Sequence, residues 1–132
     1  MSQKNVEALR SVYEEWGKGN FEAGEDLFDP QISFIIRPEF PEAGTYLGPA
    51  GIVKYMRGFL LAWTGLTITA EEFIEAGDSV VVAVNQRGVG QESGTPVELH
   101  YFQIWTFRGG AAIRLENVGA RAEALEAVGL SE

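Results

Sequence analysis

Two amides interrupt otherwise apolar faces near the end of this chain. Gln103 lies in Tyr101-Phe102-Gln103-Ile104-Trp105-Thr106-Phe107, and Asn117 closes Ile113-Arg114-Leu115-Glu116-Asn117. Alternate side chains of an extended segment share a face. Gln103 is therefore expected beside Tyr101, Trp105 and Phe107, and Asn117 beside Ile113 and Leu115. Buried amides need hydrogen-bond partners, which either the backbone of the core or a ligand could supply. An amide orients or polarises an oxygen of a ligand, whereas proton transfer calls for a carboxylate or an imidazole.

The residues that usually perform proton transfer are poorly placed. His100 is the only histidine, and its ordinary pKa lies near neutrality. Alternation puts it on the opposite face from Gln103, with Phe102 and Ile104, which predicts a surface or interface role. The acidic pairs Glu14-Glu15 and Glu71-Glu72 are adjacent in sequence, so their side chains diverge on either a helix or a strand. With one histidine and no cysteine, neither a metal centre nor a cofactor is expected. Gly88-Val89-Gly90-Gln91-Glu92-Ser93-Gly94 has the wrong glycine spacing for a dinucleotide loop, and a strand follows it rather than a helix.

The elements that must position the amides can be read from periodicity. Val6, Leu9, Val12, Tyr13 and Trp16 follow helical spacing, with Ser2 as the expected cap and Gly17 and Gly19 as the stop. Asn20 is expected to cap a second short helix that buries Phe21, Leu27 and Phe28 and ends at Asp29-Pro30. The β-branched and aromatic run Ile32–Arg37 reads as a strand. Pro38, Pro41, Gly44 and Gly48 mark a loop. Pro49 suits the first turn of a further helix, whose apolar face carries Ile52, Tyr55, Met56, Phe59, Leu60 and Trp63. Four strands are expected after it, over 66–76, 79–90, 97–108 and 112–118. Gly77-Asp78 and Gly109-Gly110 form hairpin turns, and a short helix closes the chain.

Helices followed by a meander imply an α+β fold. The expected form is a cone-shaped, curved antiparallel sheet packed on N-terminal helices and enclosing an apolar cavity. The 132 residues suit one domain spanning 1–132. Ten Lys and Arg against 19 Asp and Glu give a net charge of −9, which would repel a phosphate backbone, so no nucleic-acid partner is expected. Apolar runs are too short for a membrane span, and Met1-Ser2-Gln3-Lys4-Asn5 resembles no export leader. A cytoplasmic protein without membrane partners is the expectation.

Several segments together resemble the SnoaL-like branch of the nuclear transport factor 2-like superfamily. They are Asn5-Val6-Glu7, Tyr13-Glu14-Glu15-Trp16-Gly17-Lys18-Gly19-Asn20-Phe21, Tyr46-Leu47-Gly48-Pro49-Ala50-Gly51-Ile52, Ala76-Gly77-Asp78-Ser79-Val80-Val81-Val82, Ile104-Trp105-Thr106-Phe107-Arg108 and the Arg121–Leu130 tail. The resemblance spans nearly the whole chain and implies the fold; the family hosts many chemistries. Residue by residue, its reactions lose their acids here. Ile36 stands where ketosteroid-isomerase-like members carry a proton-moving acid, and Gln103 stands where they carry an oxyanion-stabilising one. Val89 and Asn117 stand where limonene-epoxide-hydrolase-like members carry aspartates. Asn85-Gln86-Arg87 resembles the arginine-bearing stretch of those hydrolases, which implies that Arg87 faces the cavity.

The combined reading is a small-molecule-binding protein with an apolar cavity and no conventional acid–base pair. Its expected ligand-binding residues are Tyr13, Trp16, Phe34, Met56, Arg87, Tyr101, Gln103, Trp105 and Asn117. Two alternatives stand beside it. One is a lyase, isomerase or hydrolase acting on an apolar oxygenated substrate through Tyr13, Tyr101 or water polarised by Arg87. The other is a dimerisation module using the apolar convex face with His100, Phe102 and Ile104, and a homodimer is expected.

Overall fold

The computed structural model describes residues 2–131. Helix α1 (Ser2–Trp16) buries Val6, Leu9, Val12, Tyr13 and Trp16 on one stripe, the face that the sequence period selects. It ends at a glycine turn in which Gly19 has a φ of 88°. The expected Ser2 cap falls on a side chain outside the described residues. A three-residue 3-10 turn, Glu25–Leu27, then leads into β1 (Phe28–Ile36). Strand β2 (Gly44–Leu47), helix α2 (Gly48–Leu61) and four long strands follow: β3 (Trp63–Ala76), β4 (Ser79–Gly90), β5 (Pro96–Arg108) and β6 (Ala111–Val118). Helix α3 (Arg121–Ala127) closes the order.

The six strands form one sheet in the order β2-β1-β6-β5-β4-β3. The fold is α+β, and the sheet is curved and unclosed, with β2 and β3 as its free edges. Irregular pairing contributes to the curvature. Glu71 is the extra residue between the pairs Ala70–Val84 and Glu72–Ala83. Ile113 is the extra residue between Thr106–Arg114 and Phe107–Ala112. A bulge bends its strand and increases the twist.

Several sequence expectations change. The sheet is mixed, because β1 runs parallel to β6. Period-two alternation reads the same in parallel and antiparallel strands, so the residues of β1 gave no signal of direction. The second helix is only the 3-10 turn. Gly24, with a φ of 98°, stands before it, and Phe28, Asp29 and Pro30 belong to β1 instead. Pro30 is tolerated because the regular β1–β6 pairing is interrupted between Phe28 and Ser33, so its missing N–H breaks no ladder bond. The expected loop over 38–48 contains β2, paired with β1 from Ser33–Leu47 to Ile36–Gly44. Trp63 starts β3 rather than ending α2. At the β6 bulge Ala112 takes the buried position and Ile113 is half-buried, so the face containing Leu115 and Asn117 does not extend to Ile113. At the far end of that hairpin Gly109 and Gly110 have φ values of 60° and 83°, the left-handed pair that a two-residue turn requires.

The helices also divide between the two faces of the sheet. The main core gathers α1, Ile52 of α2, and the inward residues Val80, Val82, Val84, Tyr101, Trp105 and Phe107. On the other face α3 sets Ala124 against Val81, Ile104 and Val118, with Phe102 and Val128 packed beside them. The apolar convex patch anticipated as an open surface is thus covered in part by the chain's own last helix. Arg37 ties this arrangement together: its Nε donates to Glu116 at 2.7 Å and its Nη1 to Glu123 of α3 at 3.2 Å.

Candidate functional site

A cavity of about 900 Å³ lies between the concave face of the sheet, α2 and the segment 16–25. Its volume is in the usual range for small-molecule sites. Helix α2 supplies Ile52, Tyr55, Met56, Phe59 and Leu60, spaced so that they fall along one side. Phe34, Ile68, Leu115 and Trp16 complete the apolar wall. Of the α2 residues only Ile52 is buried, and Tyr55, Met56, Phe59 and Leu60 keep partial exposure toward this space. Asn20, Glu22, Glu25 and Arg57 are exposed residues at its rim.

The floor is polar. Gln103 and Asn117 are direct partners across β5 and β6, both are buried, and both line the cavity. Gln103 Nε2 donates to Asn117 Oδ1 at 3.1 Å. Behind Gln103, the Tyr13 hydroxyl donates to Gln103 Oε1 at 2.5 Å, and Trp105 Nε1 donates to the Tyr13 oxygen at 2.8 Å. Tyr13 reaches this position because α1 crosses the concave face with its apolar stripe inward. Its ring meets Trp16 edge-on at 5.0 Å. Trp16 is held in turn by Nε1 donating to the Ala23 carbonyl at 3.0 Å.

Tyr101 supplies a second polar point on the wall, its hydroxyl donating to Gln86 Oε1 at 2.7 Å. Burial pushes the phenols of Tyr13, Tyr101 and Tyr55 above the ordinary tyrosine range, because a phenolate would lose its hydration there. At neutral pH they are hydroxyl groups that can donate and accept. The carboxylates among the described lining residues are Glu22 and Glu25 at the rim. His100 is on the convex side, exposed, 3.2 Å from Glu71. Among the described residues no cluster of three or more His, Asp or Glu could hold a metal ion.

Of the nine residues singled out in the sequence, Trp16, Phe34, Met56, Tyr101, Gln103 and Asn117 line the cavity. Tyr13 and Trp105 lie one layer behind it and reach it through Gln103. Arg87 is misplaced by the sequence reading. Its side chain is 66% exposed and pairs with Glu98 at 3.0 Å on the convex face. The β4–β5 register is unbroken from Ser79 to Val89, so the inward parity of Val80, Val82 and Val84 continues to Gln86 and turns Arg87 outward. Counting by twos from Val80 points instead to Gln86, which is buried behind the cavity wall and meets it only through the Tyr101 hydroxyl. Tyr55, on the apolar face expected for α2 but absent from the nine, faces the cavity and meets Phe34 edge-on at 5.4 Å.

A SnoaL-like domain model matches residues 9–115. No curated protein matches the chain in sequence. Among solved structures, TerC co-crystallised with polyporic acid is 27% identical, with 94% of this chain and 96% of that one covered at a TM-score of 0.75. An NTF2-like protein of unknown function from Burkholderia pseudomallei K96243 is 20% identical over 95% and 97% of the two chains, with a TM-score of 0.77. A protein with a ketosteroid isomerase-like fold from Catenulispora acidiphila DSM 44928, in complex with trimethylamine, is 18% identical over 95% and 92%, with a TM-score of 0.71. The last two likenesses concern the fold alone. By the match over residues 9–115, which takes in α2 and all six strands up to Leu115, this chain belongs to the SnoaL-like domain family.

Proposed function

We propose that this protein binds an apolar, oxygenated small molecule in the cavity under α2, with an oxygen of the ligand at the Gln103–Asn117 floor. The observation that carries this reading is the pairing of two buried amides at the bottom of a space walled by Trp16, Phe34, Tyr55, Met56 and Phe59. A ligand there would bury rings and aliphatic carbon against the wall, the main source of its affinity. The amides would fix which way it lies. Conventional acid–base turnover has less support, because the interior offers hydroxyls and amides where a base is needed, and burial holds those hydroxyls protonated. The 27% identical TerC, co-crystallised with polyporic acid, supplies the first compound to try.

The test is thermal unfolding with polyporic acid, steroids, terpene epoxides, polyketide lactones and aromatic acids. A ligand present at 100 times its dissociation constant adds about 2.7 kcal/mol to stability, which raises the melting point by several degrees. Gln103→Leu and Asn117→Leu should each weaken a confirmed ligand by about 3- to 10-fold, the worth of one lost hydrogen bond. A panel without a hit, or full affinity in both leucine variants, would overturn the reading.

A further inference from the structure

The floor amides are held in one orientation by a residue that never touches the cavity. An indole N–H can only donate a hydrogen bond. Since Trp105 Nε1 donates to the Tyr13 oxygen at 2.8 Å, the proton of Tyr13 must point elsewhere, and it points to Gln103 at 2.5 Å. The Gln103 atom that receives it has to be the carbonyl oxygen. The Gln103 nitrogen then faces Asn117 across the β5–β6 pair, and the Asn117 atom 3.1 Å from it has to be the oxygen. Turning either amide around would set N–H against N–H or O–H, so neither can flip without breaking the line.

This leaves the Asn117 amide nitrogen as the end of a one-way chain. Asn117 is buried and lines the cavity, and among the described residues its Nδ2 donates to no protein acceptor. Gln103 Nε2 also keeps one of its two hydrogens beyond the bond to Asn117. Each amide oxygen already accepts one hydrogen bond, whereas the Asn117 amide nitrogen makes none to protein among the described residues, so the group still wholly without a partner is a donor. We infer that the cavity floor selects a hydrogen-bond acceptor, a carbonyl or enolate-type oxygen, and that Trp105 and Tyr13 are the positioning residues that set this preference. The inference rests on the cavity reading above and specifies the ligand group that meets the floor. The Tyr101–Gln86 pair differs in this respect: both members can donate and accept, so no donor-only group fixes its direction.

Three flat tricyclic probes of nearly one shape test the polarity: fluorenone presents a carbonyl acceptor, fluorene neither acceptor nor donor, and carbazole an N–H donor. Their dissociation constants are measured for the wild-type protein by titration calorimetry or fluorescence quenching. Fluorenone should bind best and carbazole worst, with a span of about tenfold or more between them, because the wrong partner leaves buried N–H groups unmatched. Asn117→Asp keeps the shape but replaces the terminal donor with acceptors, and should move the preference from fluorenone to carbazole. Trp105→Phe frees Tyr13 to reverse its hydroxyl and should narrow the fluorenone–carbazole gap without abolishing binding.

An infrared readout needs no variant. The carbonyl stretch of fluorenone bound to the wild-type protein should fall below its value in alkane solvent, as a hydrogen-bonded carbonyl does. Equal binding of the three probes, carbazole ahead of fluorenone in the wild type, or an unshifted carbonyl stretch would overturn the polarity while leaving the cavity reading intact. Failure of all three probes to bind, together with polyporic acid, would overturn both.

Discussion

The two faces of the sheet carry polar groups and use them in opposite ways. On the concave face Tyr13, Gln103, Trp105 and Asn117 are neutral, buried, and joined in a single line of hydrogen bonds. On the convex face Arg87, Glu98, His100 and Glu71 are exposed to water and linked at 3.0 to 3.4 Å. The convex group holds the residues that most suggest chemistry by type, an arginine and the only histidine. Water and dissolved ions screen such pairs. The concave group looks inert by type, yet each of its bonds is made between buried side chains. For these strands, directional partners and burial are a better guide to a site than the acidity or basicity of a side chain.

The sharpest way to break this contrast is Tyr13→Phe. It removes one oxygen and leaves the Trp105 N–H and the Gln103 carbonyl facing each other without a partner. Two unmatched buried groups cost about 2–4 kcal/mol together, which chemical denaturation would read directly. A loss no larger than that of an exposed polar substitution would mean that the line is not load-sharing in the core. Gln103→Leu in the same background should then cost less than it does in the wild type, since its partner is already gone.

Alkaline titration is expected to have the next largest effect. Tyr13, Tyr55 and Tyr101 have folded-state pKa values raised above the ordinary value of 10.0, with burial as the leading cause. The folded chain therefore holds protons that the unfolded chain gives up. Their contribution to stability is fully present below pH 10 and is lost as the pH rises beyond it. Stability measured by denaturation should stay level through neutral pH and drop above about pH 10. Phenolate absorbance from these three tyrosines should appear together with unfolding rather than before it. Ionisation of all three in the folded protein near pH 10 would contradict the burial that raises them.

The smallest effect belongs to the convex face. Arg87→Ala should leave the denaturation midpoint nearly unchanged and alter ligand affinity by less than about twofold, because an exposed pair contributes little. Added salt should erase whatever difference appears. A large loss of affinity in this variant would return Arg87 to the cavity and reverse the assignment of faces on β4.

Much of the site was legible because its determinants are local. The inward set Tyr101, Gln103, Trp105 and Phe107 follows from counting by twos along one unbroken strand, and the β5–β6 turn follows from Gly109-Gly110. Arg87 went astray when likeness to a related stretch was given more weight than the parity running from Val80 to Gln86. Ile113 could not be placed by counting, because a bulge adds a residue without a marker in the sequence. Tyr55 could be placed on the apolar side of α2 but not in the cavity, because a helix period reports which side is apolar, not whether that side meets protein or an empty space.

By itself, then, the sequence determined the helices α1 and α2, the long strands, the hairpin glycines and the amides at Gln103 and Asn117, since all of these depend on residues a few positions apart. Tertiary structure alone decided that β1 runs parallel to β6, that α3 covers the far face, and that Tyr13 stands between Trp105 and Gln103, 92 and 90 residues away. Hydrogen-bond direction at the floor is a property of that assembly. No one of the four residues fixes it, and it arises only when folding brings a donor-only indole into contact with a hydroxyl that must then point toward the amides.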